Sequence, residues 1–327
     1  MRLIVNFPKP FAALEEALEV ESCSLARNIW NPGDARSVGA EACLLDFCSS
    51  ARRLRDLWRL ARVLRPLGVP LVAIDRDAPW YKGVRRRRLW ALSLIRPLDI
   101  YASHSLQGAA RFANTTLYLA NAARLPAYGL HGRTLDSLRD AGSYRYDVSF
   151  IGNLDAARYP EHARRVTALR DLQTVLAAEG VILELFDAAR MSVEEQVAVI
   201  QQSRINLNLG AAADDGAERS WGLPERCYGI PAAGGFLLSD SRRHAANDFE
   251  PGRDWVEYAG SADCPARIRY YLAHFEESRA IAEEAHHRVL MEHTYAHRAK
   301  RLLRTIRDWQ ASYPMATHDA AARQDAH

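Results

Sequence analysis

An α/β protein with two successive strand–helix series is the fold class this sequence predicts. Three observations carry the expectation. Short apolar runs alternate with longer amphipathic segments, the pattern of a parallel sheet covered on both faces. The alternation lapses once, between about 121 and 145, and then resumes. The length, 327 residues, at about 150 residues per domain suggests two domains.

In the first series, strands are expected at 2–7, 42–47, 69–74, 99–103 and 115–119, with helices at 12–20, 51–64 and 84–93. The second helix shows why: Leu54, Leu57 and Leu60 recur at helical spacing among Arg52, Arg53, Asp56 and Arg59. Pro126, Gly129, Gly132 and Gly142 then punctuate a stretch without a sustained apolar period. It reads as a linker over 126–145 that closes an N-terminal domain of 1–125. The second series has strands at 147–151, 181–186, 204–209, 235–238 and 255–258, and helices at 160–178, 192–202 and 224–230. Past Asp263 only helices are expected, completing a C-terminal domain of 146–312, and the Ala-, Asp- and His-rich tail at 313–327 reads as frayed.

Composition excludes several classes. With 48% hydrophobic and 25% charged residues the chain is not disordered, and it can bury a sizeable core. No run approaches the roughly eighteen apolar residues of a membrane span, and MRLIVNFPKPF holds too short an apolar run for a signal peptide. A cytoplasmic location is expected. Cys23, Cys43, Cys48, Cys227 and Cys264 are scattered without a C-x-x-C pair, against a disulfide framework or a structural zinc. A net charge of +3 gives no general attraction to nucleic acid. The absence of G-x-S-x-G, P-loop and G-x-G-x-x-G motifs lowers the hydrolase, NTPase and dinucleotide oxidoreductase readings.

The most informative segment is LPERCYGIPAAGGFLLSD at 223–240. Pro224 suits a first helical turn, Gly229 and Pro231 are expected to end the helix, and Gly234 and Gly235 lead into a buried strand. A helix N-terminus at the carboxyl ends of strands offers free N–H groups and a positive dipole end. Ser220, Trp221 and Gly222 precede it, so an anion can sit there, with Arg219 and Arg226 supplying bidentate contacts. The same residues equally describe a buried helix–turn–strand with glycines for close packing.

That segment resembles the R-x-[FY]-E-x-x-A-x-G-G-F-[LM]-L-x-[DS] signature of CgeB-like glycosyltransferases, relatives of the family 4 retaining enzymes. YDVSFIGN at 146–153, SRINLNLG at 203–210, DFEPGRDWVEY at 248–258 and HTYAHRAKRLL at 293–303 are similar to further family segments in the same order. The resemblance covers about 145–305. It implies a GT-B architecture, with two facing Rossmann-like domains and a C-terminal helical extension. The C-terminal domain then holds a nucleotide-diphosphate-sugar donor, and the N-terminal domain an acceptor hydroxyl on a glycan, a lipid-linked saccharide or a small molecule. The setting implied is bacterial surface-glycan or secondary-metabolite glycosylation. Carried over by position, Gly152 and Asn153 lie against the donor phosphates or sugar, Asn206 belongs to the "LNLH" strand, Arg226 stands at the diphosphate helix, and Gly234 and Gly235 let the backbone pass close by. Gly229 stands where the family usually has a glutamate for the ribose hydroxyls. Either Glu225, one helical turn earlier, is the substitute, or the ribose is held differently, or the protein is a non-catalytic nucleotide-sugar or glycan binder.

In the first series, Asp75 and Asp77 follow an apolar strand and are expected at its carboxyl end. They read either as a general base toward the acceptor or as an Asp-x-Asp metal chelate, or as helix capping and local ion pairing. GT-B chemistry needs no cofactor and no divalent metal, which favours the base. His104, just past another strand, can face the cleft as a further catalytic candidate, which resembles the donor-facing histidine of some family 4 enzymes. Arg85, Arg86, Arg87 and Arg88 sit beside Trp80, Tyr81 and Trp90, as a solvated helix face, as a contact with anionic membrane or as a grip on a phosphorylated acceptor. His293 and His297 are expected on one helix, packing rather than binding zinc, since HTYAH lacks the glutamate of H-E-x-x-H.

Overall fold

The computed structural model describes residues 1–76, 85–210, 222–242 and 244–313, and within them two parallel sheets account for the alternation. The first is built from β1 (Arg2–Asn6), β2 (Ser24–Arg27), β3 (Ala42–Asp46), β4 (Leu71–Asp75), β5 (Ile100–Ser103) and β6 (Thr115–Tyr118), in the order β2-β1-β3-β4-β5-β6. The second contains β7 (Tyr146–Gly152), β8 (Leu183–Asp187), β9 (Ser203–Asn208), β10 (Leu237–Asp240) and β11 (Val256–Tyr258), in the order β11-β10-β9-β7-β8. Every strand pair in both sheets is parallel, so each crossover needs a connecting segment on a sheet face.

Periodicity places the helices correctly where it is sustained. In Leu54–Leu64 the buried residues are Leu57, Leu60, Ala61 and Leu64, the i, i+3, i+4, i+7 stripe that packs on the first sheet. Val193–Gln201 starts from a capping box in which Ser192 and Glu195 each satisfy the other's backbone N–H. Three elements lack a strong enough pattern to be read in advance. The strand β2 is a short, partly exposed edge spelled SLAR. The helices Pro32–Ser37 and Phe47–Ser50 are brief turns fixed by the side-chain caps of Asn31 and Asp46.

The chain divides differently from the expected boundaries. One unit is Met1–Ala120 together with the chain from Ala296 on; the other is Asn121–Tyr295. The final helix, Tyr295–Ser312, is tied to the first unit: Gln310 Nε2 donates to Glu41 O at 2.8 Å and Gly68 O at 3.3 Å, and Arg298 Nε donates to Ala120 O at 3.1 Å. An amphipathic pattern says that a helix covers something, not which sheet. The stretch expected as a linker belongs to the second unit, where Leu138 is fully buried and two 3-10 turns, Asp136–Arg139 and Ala141–Ser143, give it structure. His293 and His297 also part company: His293 caps the helix Phe275–Glu292, and His297 lies in the next one. His293 packs as expected, with Nε2 at 2.6 Å from Asp248 O.

Among the titratable groups inside the second unit, His286 provides a pH signature. Its Nδ1 lies 2.9 Å from Pro231 O, and burial lowers its pKa below the ordinary imidazole value. The folded state therefore favours neutral imidazole, so the unfolded chain binds more protons as the pH drops. Stability is fully present above about pH 6.5 and falls as the pH descends through the depressed folded pKa. Thermal melts at neutral and mildly acidic pH should show this loss, and His286→Gln should flatten it; an unchanged acid dependence in the variant would assign it to other groups.

Candidate functional site

In the second sheet the chain runs from β7 outward to β8, then returns to β9 on the other side of β7. The order reverses between β7 and β9, and in open parallel sheets ligands bind at the carboxyl ends of the strands flanking such a reversal. Arg226 straddles that point. Its Nη1 donates to Ile151 O of β7 at 3.2 Å, and its Nε donates to Asn208 Oδ1 of β9 at 2.6 Å. Its guanidinium carbon lies 5.3 Å from the Phe150 ring centroid. A second guanidinium, from Arg165 on the helix Ala163–Ala177, lies 5.6 Å from the same ring and donates to Asn153 O at 2.5 Å. Arg165 is 2% exposed, and its Nε has no hydrogen-bond partner among the described residues.

Among the described residues the charge here is out of balance. The nearby carboxylate, Asp240 at the end of β10, is fully buried and engaged by Arg242 Nη2, by Asn208 Nδ2 at 3.0 Å and by the Gly210 N–H at 3.0 Å. Among the described residues neither Arg165 nor Arg226 reaches a carboxylate; both donate only to neutral oxygens. Burial depresses both, with the Arg226 charge a further cause at Arg165, whose pKa is pushed down to about 9. A guanidinium holds its proton far above neutral pH. Both side chains therefore stay cationic at neutral pH, a charge that suits an anion.

The glycines around this cluster make room. A Cβ on Gly152 would lie 2.8 Å from both Arg226 Nη1 and the Phe150 ring, so a side chain there displaces the guanidinium. Gly234, at φ +80°, ends the helix Arg226–Ala232 in a Schellman turn: the Gly235 N–H donates to Ile230 O and the Gly234 N–H to Pro231 O, both at 2.9 Å. That helix runs through Gly229 and Pro231 instead of ending at them; Pro231 sits in its last turn. Gly234 faces Leu138 and Leu130, and Gly235 faces Ile200 and Asn206, all in close packing.

The other expected donor residues are distributed as follows. Asn153 ends the β7 turn, its Oδ1 accepting from the Asp155 N–H at 2.9 Å. Asn206 is buried in mid-strand with its amide committed to Ile200 O, Phe236 O and Ser149 Oγ. The strand-end amide is that of Asn208, two residues on along the same face. Glu225 is exposed and accepts from the Tyr295 hydroxyl. Gly222 is buried with φ +71° just before the helix. Arg219, Ser220 and Trp221 lie outside the described residues, as does Asp77. The place of the family glutamate is covered: the ring of Tyr128 would lie 3.2 Å from a Cβ on Gly229, and its hydroxyl donates to Gln196 Oε1 at 2.7 Å. Burial raises the Tyr128 pKa, with the Glu225 charge the next cause.

In the first unit, Asp75 ends β4 and pairs in register with Ser103 of β5, which His104 follows, so the two candidates stand at adjacent strand ends. Both are buried, and Asp75 Oδ2 accepts from Tyr101 Oη at 2.7 Å. Burial, then the Asp75 charge, raises the Tyr101 pKa strongly, which keeps that phenol a donor.

Sequence reasoning passes over Arg165, Asn208, Asp240 and Arg242. For Arg165 a signal existed: it precedes Leu169 by four residues and so lies on the apolar face, where a charge is unusual.

A family model described as glycosyl transferase-like matches residues 131–304, more than half of the chain. The chain belongs to that glycosyl transferase-like family. No curated protein matches it in sequence. Among solved structures, this family member is similar to Anabaena HepE in complex with UDP, at 12% identity over 94% of this chain and 99% of that one, with a TM-score of 0.61. It is also similar to a glycosyltransferase from Rickettsia africae, at 8% identity over 95% and 99% with a TM-score of 0.63. Sucrose-phosphate synthase from Thermosynechococcus elongatus matches at 10% identity over 95% and 100%, with a TM-score of 0.62. At these identities the likeness establishes the fold, which is GT-B: two α/β units, each on a parallel sheet.

Proposed function

We propose that the protein transfers a sugar from a nucleotide-diphosphate donor to an acceptor hydroxyl. The observation that supports this reading is a pair of guanidiniums, buried Arg165 and half-buried Arg226, that meet no carboxylate among the described residues where the second sheet reverses its order. As the bond between the anomeric carbon and the diphosphate oxygen breaks, negative charge gathers on the leaving diphosphate. Two preorganised, desolvated donors stabilise it there without reorganisation. UDP is the nucleotide to test first, because the similar HepE was crystallised with UDP and with UDP-glucose. The acceptor is proposed to be a glycan, a lipid-linked saccharide or a small molecule, in bacterial surface-glycan or secondary-metabolite glycosylation in the cytoplasm.

The deciding experiment incubates the purified chain with UDP-, GDP-, ADP- and dTDP-sugars and assays released nucleotide. Release from one donor, undiminished by a chelator, is the expected result; loss of activity in the chelator would turn Asp75 and Asp77 toward metal binding. Tyr128 over Gly229 favours a second reading, a protein that binds nucleotide sugar without turnover. It would show a nucleotide-dependent rise in melting temperature with no product.

The roles of single residues follow from the same assay. Glu225, held by the Tyr295 hydroxyl, is proposed to take the ribose hydroxyls. Glu225→Ala should weaken nucleotide-diphosphate binding by about tenfold, the loss of one charge-assisted hydrogen bond; unchanged affinity removes it from the site. Asp75 is proposed as the acceptor-side base if the reaction inverts, with Asp77 as the alternative, and His104 as a catalytic residue facing the donor. Asp75→Asn preserves its shape, so wild-type turnover in that variant would leave Asp75 a structural role, such as its bond to Tyr101.

A further inference from the structure

We propose that the helix Arg86–Ile95 is the surface by which the protein rests on an anionic lipid bilayer. This goes beyond the donor site and does not depend on it. The helix has ten residues, of which only Leu92 is buried, with Leu89 half-buried against the first core. That face already serves the interior. On the opposite side, at 100° per residue, Trp90 and Leu94 stand one turn apart and are each 67% exposed. Arg86 lies one turn before Trp90, and Arg87 two turns before Leu94 on the same side, both exposed. Ile95, the last residue of the helix, is also exposed.

Charge decides the occupant. From 85 to 98 the chain carries Arg85, Arg86, Arg87, Arg88 and Arg96 with no Asp or Glu. Among the described residues, none of these arginines forms an ion pair with a carboxylate. A core-facing helix does not expose Trp and Leu together, and a merely solvated helix does not need them. A second copy of the same face would set Arg86 and Arg87 against their own counterparts. A bilayer surface with negative headgroups accepts both features: guanidiniums meet phosphate, and the amphipathic Trp90 ring and Leu94 enter the headgroup–acyl boundary. Among the described residues no helix is long and apolar enough to cross a membrane, so the contact proposed is peripheral.

The test is flotation of the full chain with phosphatidylglycerol-containing vesicles and, separately, with phosphatidylcholine vesicles, at low and at raised salt. Binding is expected only to the anionic vesicles and should weaken with salt. Each arginine near the surface contributes about fivefold, so Arg86→Glu with Arg87→Glu should reduce binding by at least about 25-fold. Trp90→Ala with Leu94→Ala should reduce it by about tenfold or more, through lost insertion. All four side chains are solvent-facing or nearly so, and unchanged melting temperatures will confirm that the variants fold. Absence of binding to anionic vesicles at low salt overturns the proposal, as does equal binding by the variants. Preferential competition by oligonucleotide, or a solution dimer that the Trp90/Leu94 variant dissociates, would also overturn it by assigning the face to a different partner.

Discussion

Arg226→Ala should lower turnover of the nucleotide-sugar donor by about 10²- to 10³-fold, the range for deleting one preorganised donor to a developing charge. The loss should appear mainly in kcat if the guanidinium meets charge that gathers as the diphosphate leaves, and in KM if it merely holds the donor. The fold should survive. Among the described residues the half-buried Arg226 pairs only with Asn208 Oδ1 and Ile151 O, so its removal takes away a partly desolvated charge rather than half of an ion pair. Arg226→Lys keeps the charge but not the fork that spans β7 and β9, and should recover only part of the activity. Wild-type turnover in Arg226→Ala would dismiss the anion site at the sheet reversal altogether.

Gly210→Ala should destabilise the second unit by roughly 3 kcal/mol or more, on the order of 10 °C in melting temperature for a unit of this size. A Cβ on Gly210 would fall on the Arg242 guanidinium, so that side chain has to move. The requirement is room, since Gly210 has no left-handed φ. Arg242 must then leave Asp240, and both side chains are almost wholly buried. A buried carboxylate without its cation costs far more than the pair contributes when intact. Because Asp240 also accepts from Asn208, which in turn holds Arg226, the variant should lose donor binding as well as stability. An unchanged melting temperature would mean that Arg242 is free to relocate and that the cluster is not a unit.

Much of the architecture was legible in the residues. Ten of the eleven strands coincide with runs whose composition and punctuation mark them, and the exception, β2, is an edge of four residues with no apolar alternation. The GT-B resemblance rested on ordered segments, and the family match over 131–304 and the solved structures bear it out. Arg226 was legible as an anion-binding candidate because its motif places it beside a helix start at a strand end. Its partners were not. Arg165 is 61 positions from Arg226 in the chain, Asp240 is 14, and no local pattern says that both meet at Phe150 and Asn208.

The sequence alone determined which segments are strands and which are helices, and which family the chain resembles, because period and turn chemistry are encoded within a dozen or so neighbouring residues. Tertiary structure decided the rest. Strand order puts the reversal between β7 and β9, packing seats Tyr128 over Gly229, and the last helix returns to the first unit instead of finishing the second. These depend on crossovers and on contacts between residues far apart in the chain. Such contacts are selected by the shape and charge of whole surfaces, and a linear pattern carries no record of which surfaces will meet.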